Sequence, residues 1–74
     1  MKTVDMEGTG IKIDMMRKER KLSVADIMDK VGFSSPNTFS KWRRGISMPT
    51  IDNLVALADI FGCEIGDIVM TKNI

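Results

Sequence analysis

A chain of 74 residues with 43% hydrophobic side chains is one domain with one small core, not a disordered chain, and at this size a core is only marginally stable alone. Its single cysteine, Cys63, excludes an intramolecular disulfide and a cysteine-based zinc site, and with no apolar run of membrane-spanning length and no signal-peptide apolar region in MKTVDMEGTG, a cytoplasmic protein is expected. The net charge of +1 excludes a uniformly basic chain, which leaves the distribution of charge as the informative quantity.

Residues 1–9 read as a polar N-terminal tail or short edge strand, with Val4 and Met6 alternating. The first helix is expected to start after Thr9, which can cap it, and to run to about Lys21 with Ile11, Met15 and Met16 inward. Leu22 packs at the junction. Ser23 caps the second helix, with Asp26 three residues on, and Val24, Ile27, Met28 and Val31 recur at the spacing of one buried face. Gly32 ends it, Phe33 turns into the core, and Ser35-Pro36 opens the third helix.

Gly45 closes the third helix and Ile46 to Pro49 forms a loop. Thr50 caps a fourth helix whose buried stripe is expected to be Ile51, Leu54, Val55, Ala58 and Phe61, with Gly62 ending it. Glu64 to Val69 reads as one short final helix, and residues 70–74 as a tail or strand. The domain therefore spans 10–69, between tails at 1–9 and 70–74. Phe33, Phe39, Phe61 and Trp42 are the only aromatics, so the core rests on Ile, Leu, Val and Met.

Charge divides this domain. Residues 11–21 carry five basic side chains against two acidic ones, and residues 32–45 carry Lys41, Arg43 and Arg44 with no acid. Residues 46–74 carry Asp52, Asp59, Glu64 and Asp67 against Lys72. A basic face is what phosphate contact requires, because each neutralised phosphate releases condensed counterions. On the third helix, at about 100° per residue, Asn37, Ser40, Lys41 and Arg44 share one side while Phe39 and Trp42 point the other way. Asn can bond adenine bidentately, and Lys or Arg can donate to guanine in the major groove. Two short helices joined by a tight turn, the second ending in Trp42, Arg43 and Arg44, form the layout that presents a helix to DNA.

The ordered set Met16-Arg17, Leu22-Ser23, Val31-Gly32-Phe33-Ser34, Ser40-Lys41-Trp42, Arg44-Gly45, Pro49 and the run Leu54 to Gly62 resembles the Cro/repressor-type helix-turn-helix family, also called XRE or lambda repressor-like. The resemblance implies an all-α, compact five-helix DNA-binding domain, commonly a homodimer on two-fold symmetric double-stranded operators and commonly a transcriptional repressor. Carried over by position, Asn37, Thr38 and Lys41 are base readers, and Ser23, Ser40, Arg43, Arg44 and Ser47 lie at phosphates or flanks.

Four positions depart from the family pattern. Val24 stands where glutamine is usual, Met28 replaces a small residue, and one extra residue separates Gly32 from Phe39. Either the longer turn sets the third helix further out over the bulkier methionine, or Met28 is a flexible filler. The family also tends to pair the arginine at position 17 with a glutamate at position 43, which here is arginine. Arg43 then turns outward towards phosphate, or Arg17 finds Asp14 or another acid.

An enzyme is not expected: the chain has no His or Tyr, no Gly-rich phosphate loop and no metal-ligand spacing, so no cofactor, metal or small-molecule ligand is implied. Cys63 reads as a small side chain in an apolar setting. The alternative function is a protein-interaction module, such as the antitoxin of a toxin–antitoxin pair, which needs an exposed apolar patch. Val4, Met6, Ile68, Val69, Met70 and Ile74 at the two ends are the candidates, and the same ends are expected to help form a homodimer, by strand pairing.

Overall fold

Small polar side chains set where the helices begin. In the computed structural model, which describes residues 1–74, the chain runs β1 (Lys2–Val4), α1 (Met6–Glu19), α2 (Val24–Val31), α3 (Pro36–Arg43), α4 (Ile51–Phe61), α5 (Ile65–Ile68) and β2 (Thr71–Asn73). Ser23 and Asp26 form a reciprocal capping box at α2, Ser35 caps α3 ahead of Pro36, and Thr50 caps α4. Gly32 and Gly62 end α2 and α4 in the left-handed conformation, at φ 98° and 68°, where a Cβ would be strained.

The start of α1 corrects the sequence expectation. Asp5, not Thr9, is the cap, its carboxylate accepting the Gly8 N–H at 2.9 Å, and so residues 6–9 are helical. Thr9 is wholly buried and its hydroxyl oxygen accepts the Met70 N–H at 2.9 Å. The inward face of α1 is also different: Ile13 and Met16 are buried with Thr9, Gly10 and Asp14, whereas Ile11 and Met15 are exposed. The helix turns its small and polar side to α3 and to the end of the chain, which rotates Ile11 and Met15 to solvent.

A second correction concerns α4. Leu54, Leu57, Ala58 and Phe61 are buried, and Ile51 and Val55 are exposed. Leu57 lies on the opposite flank of Leu54 from Val55, so the buried stripe is centred away from Val55, and Ile51 falls in the first turn at its edge. The core joins these residues to Ile13, Met16, Ile27, Phe39, Trp42 and Ile68, with Leu22, Val24, Phe33 and Cys63 among the half-buried side chains packed on it. Met28 is half-buried.

The two ends of the chain pair with each other. β1 runs antiparallel to β2 in the register Lys2 with Asn73, Thr3 with Lys72 and Val4 with Thr71, extended by Asp5 N–H to the Met70 carbonyl at 2.8 Å. The ends, expected to pair strands between two copies, pair with each other within one chain instead, and Ile68, expected in an exposed apolar patch, is wholly buried in the core.

Where α1 crosses α3, residue 10 has no side chain, and a Cβ there would overlap the Trp42 carbonyl. Gly10→Ala is therefore expected to destabilise by about 1–3 kcal/mol, even though alanine favours a helix by about 1 kcal/mol. Gly66→Ala, where a Cβ meets nothing within 4 Å, is expected to stabilise slightly. Thermal unfolding followed by circular dichroism checks both, at about 4–8 °C per kcal/mol. An unchanged or raised midpoint for Gly10→Ala would mean that the two backbones do not touch.

Candidate nucleic-acid interface

Two buried aromatics fix which side of α3 faces water. Phe39 and Trp42 are in the core, and Phe33, from the turn before the helix, meets the Trp42 ring edge-on at 5.1 Å between centroids. With those rings inward, Asn37, Lys41 and Arg44 are exposed and Thr38 and Ser40 half-buried, as the helical period requires. Pro36 and the Ser35 cap start the helix, the Asn37 N–H bonding the Ser35 hydroxyl at 3.3 Å. Arg44 Nε donates to the Ser40 carbonyl at 3.4 Å, which holds its stem along the last turn and leaves its terminal nitrogens outward.

The remaining expected flank residues are placed less uniformly. Ser23 is exposed, but its oxygen is engaged by the Asp26 N–H at 3.0 Å and its own N–H by the Asp26 carboxylate at 2.8 Å. These bonds to Ser23, backbone first, hold the Asp26 carboxyl below the usual carboxylate range. Ser47 is half-buried, its N–H on the Lys41 carbonyl at 3.4 Å. Val24, at the start of α2, packs on the core.

Arg43 is held by a residue that sequence reasoning passed over as a site. Asp14, buried on α1, accepts Arg17 Nε at 3.1 Å and Arg17 Nη2 at 2.8 Å on one carboxylate oxygen. Its other oxygen faces Lys18 Nζ at 3.3 Å and accepts Arg43 Nε at 3.1 Å. Arg17 also donates to the Leu22 carbonyl at 2.7 Å and lies over the Phe39 ring at 5.8 Å. The acid that would have stood at position 43 is supplied from position 14. The spacing of Asp14, Arg17 and Lys18 is that of helical ion pairs and was available as a signal; the pairing with Arg43, 29 residues away, was not. Burial alone would push the Asp14 carboxyl up, but the hydrogen bonds and charges of Arg17 and Lys18 outweigh it and hold the carboxyl below its usual range.

Arg20 belongs to the basic segment by sequence and to the scaffold by structure. Its guanidinium donates to the Phe61 carbonyl at 2.8 and 3.1 Å and to the Met16 carbonyl at 3.1 Å. Two helix ends are thereby capped by one cation. Cys63 is half-buried and burial pushes its thiol up, the opposite of an activated nucleophile. No three His, Cys, Asp or Glu side chains gather as metal ligands, and no helix is long and apolar enough to cross a membrane.

A family model for the Cro/C1-type helix-turn-helix DNA-binding domain matches residues 12–72. No curated protein matches the sequence significantly. Among solved structures, the fold is similar to that of the clp gene regulator ClgR from C. glutamicum, with a TM-score of 0.72, 17% identity, and coverage of 85% of this chain and 80% of that one. It is also similar to the DNA-binding domain of BldD, with a TM-score of 0.70, 23% identity, and coverage of 88% and 93%. At these identities the likeness is one of fold.

Removing the Asp14 charge leaves three cations facing one another. A carboxylate with a lowered folded-state pKa stabilises above the unfolded value, and the contribution is lost as pH falls through the folded value. Asp14→Asn is therefore expected to cost about 2–3 kcal/mol at neutral pH and to flatten the acid limb of the midpoint-against-pH curve below about pH 4. Parallel acid limbs for the two proteins would show that Asp14 is not the anchor.

Proposed function

The chain belongs to the Cro/C1-type helix-turn-helix DNA-binding family, and on that premise we propose that it is a cytoplasmic, sequence-specific transcriptional repressor that reads the major groove of double-stranded DNA with α3. The supporting observation is the orientation of that helix: Phe39 and Trp42 lock its apolar side inward and leave a wholly polar stripe outward. In this reading Asn37, Thr38 and Lys41, in the first two turns, meet base edges, while Ser40, Arg43 and Arg44 flank them at phosphates with Ser23 and Ser47 at the margins. Repression follows from steric occlusion of a promoter, which needs nothing beyond occupancy of the site.

We propose further that two copies bind together. Ile51 and Val55, one turn apart on α4, are 70% and 53% exposed, with Ile46 of the preceding loop also exposed, and burying them against a second copy relieves that cost. Sedimentation of the wild type and of Ile51→Glu/Val55→Glu tests this: a dimer that dissociates in the variant is expected, and a wild-type monomer at tens of micromolar overturns it. A dimer lost instead on deleting residues 71–74 would place the interface at the terminal strands.

Selection of bound duplexes from a random library tests the main reading, with an enriched palindrome expected. Against the selected site, Lys41→Ala is expected to relax preference at one base position by about 1–3 kcal/mol, and Arg44→Ala to weaken all duplexes evenly. If no duplex binds even at low salt, the protein-interaction module becomes the better account of those exposed apolar side chains.

A further inference from the structure

Packing leaves an apolar stripe uncovered on the outer side of α1. Because Gly10 must face the Trp42 carbonyl, Ile11 and Met15, one turn apart, are turned outward and stand 45% and 52% exposed. At about 100° per residue, Glu7, Ile11, Met15 and Lys18 fall within about 80° of one another. The stripe therefore has an acid at one end, two apolar side chains in the middle and a base at the other. Glu7 is exposed, and Lys18 is 63% exposed, its Nζ held 3.3 Å from Asp14. α1 packs chiefly on α3 and α5, whereas α4, which carries Ile51 and Val55, packs on α2 and α5. The two exposed apolar patches thus belong to separate faces of the domain.

This stripe is complementary to a reversed copy of itself. When two α1 helices lie antiparallel about a two-fold axis level with Ile13, Ile11 of each meets Met15 of the other. Glu7 and Lys18 lie on the same flank and almost equally far from that axis, so each Glu7 stands beside the Lys18 of the other copy. On the opposite flank Glu19 meets Gly8, which has no side chain to oppose it. In a parallel pair Glu7 and Lys18 are about 16 Å apart along the axis and cannot meet. We propose that the α1 stripe docks antiparallel on the α1 stripe of a second copy, at a contact separate from the α4 face. A seam of this length covers far less than the roughly 800 Å² per partner of a stable interface, so two free copies associate weakly, towards millimolar. Copies already held side by side meet at a higher effective concentration, and two self-complementary faces on one domain join pairs into a row.

The test uses the full chain carrying Ile51→Glu/Val55→Glu, so that association through α4 is absent, and follows self-association by sedimentation equilibrium up to about 1 mM. Dimerisation in that range is expected, and adding Ile11→Gln/Met15→Gln is expected to weaken it at least tenfold while leaving the helix intact, since glutamine is a good helix former. Glu7→Lys and Lys18→Glu each turn two attractive pairs repulsive and are expected to weaken it about tenfold, at about two- to fivefold per exposed pair. An equimolar mixture of those two variants is expected to associate again, because every pair across the mixed seam is then opposite in charge. Thermal unfolding verifies that each variant is folded.

A protein that stays monomeric to 1 mM overturns the contact, and so does association that survives Ile11→Gln/Met15→Gln. Should Lys18→Glu fail to fold beside Asp14, the glutamine variant still decides. Charge variants that remain monomeric when mixed overturn the antiparallel seam. Association lost instead on deleting residues 71–74 moves the contact to the terminal strands and overturns it as well. If the wild type and Ile51→Glu/Val55→Glu associate equally, and both depend on Ile11 and Met15, the α4 contact fails and the α1 contact stands.

Discussion

Everything about the exposed face of α3 depends on how closely α1 can approach it. The two backbones meet at Gly10 and Trp42, where even a methyl group would not fit. That approach lets Trp42 and Phe39 pack into the core behind α3 instead of propping it away from the domain. One turn along the same face of α1, Asp14 takes the Arg43 guanidinium. A steric contact and an ion pair thus act on adjacent residues of α3 and fix its rotation about its own axis. A helix free to roll would present no constant set of side chains to solvent.

The charge arrangement has the same economy. Of the basic residues near the end of α1, Arg17 and Arg20 point back into the protein, one to Asp14 and the Leu22 carbonyl, the other to the Phe61 and Met16 carbonyls. A cation bound to a helix-end carbonyl keeps its long-range field while its geometry is spent on the scaffold. The basic half of the domain is therefore a field shared by all these residues, but only those with free N–H groups, Lys18 and Arg43 among them, are positioned to form directional bonds. Net charge over a segment and capacity for specific contact are different quantities here.

What could be read from the sequence was what is decided locally. Ser23 with Asp26, Gly32, Ser35-Pro36, Thr50 and Gly62 punctuate α2, α3 and α4 through bonds spanning a few residues, so those limits were legible. The outward side of α3 was legible for the same reason, since its two aromatics fall on one side of a regular period. The start of α1 was not, because Asp5 and Thr9 are both competent caps and the choice is made by the strand that brings Met70 to Thr9. Ile11, Met15, Ile51 and Val55 were misplaced because an apolar residue reads as inward wherever the period allows it. Which part of the period is covered is decided by neighbouring helices: Gly10 against α3 for the first pair, and the centring of α4 on Leu54 and Leu57 for the second. The partner of Arg43 was open for the same reason, since its acid comes from another helix.

The pairing of the chain ends has a kinetic meaning. The bond from Met70 to Thr9 spans 61 residues, so it closes a loop nearly as long as the protein, and the entropy of closing it is offset only after the helices have gathered. Pairing of the small sheet therefore carries the largest loop-closure cost in the chain. Its release would strip Thr9 of its partner and leave the first turn of α1 held by the Asp5 cap. That turn is not remote from α3, because Glu7 backs directly onto Gly45 just past the end of that helix. The paired ends, the first turn of α1 and the segment that follows α3 are thus joined by direct contacts, Met70 to Thr9 and Glu7 to Gly45.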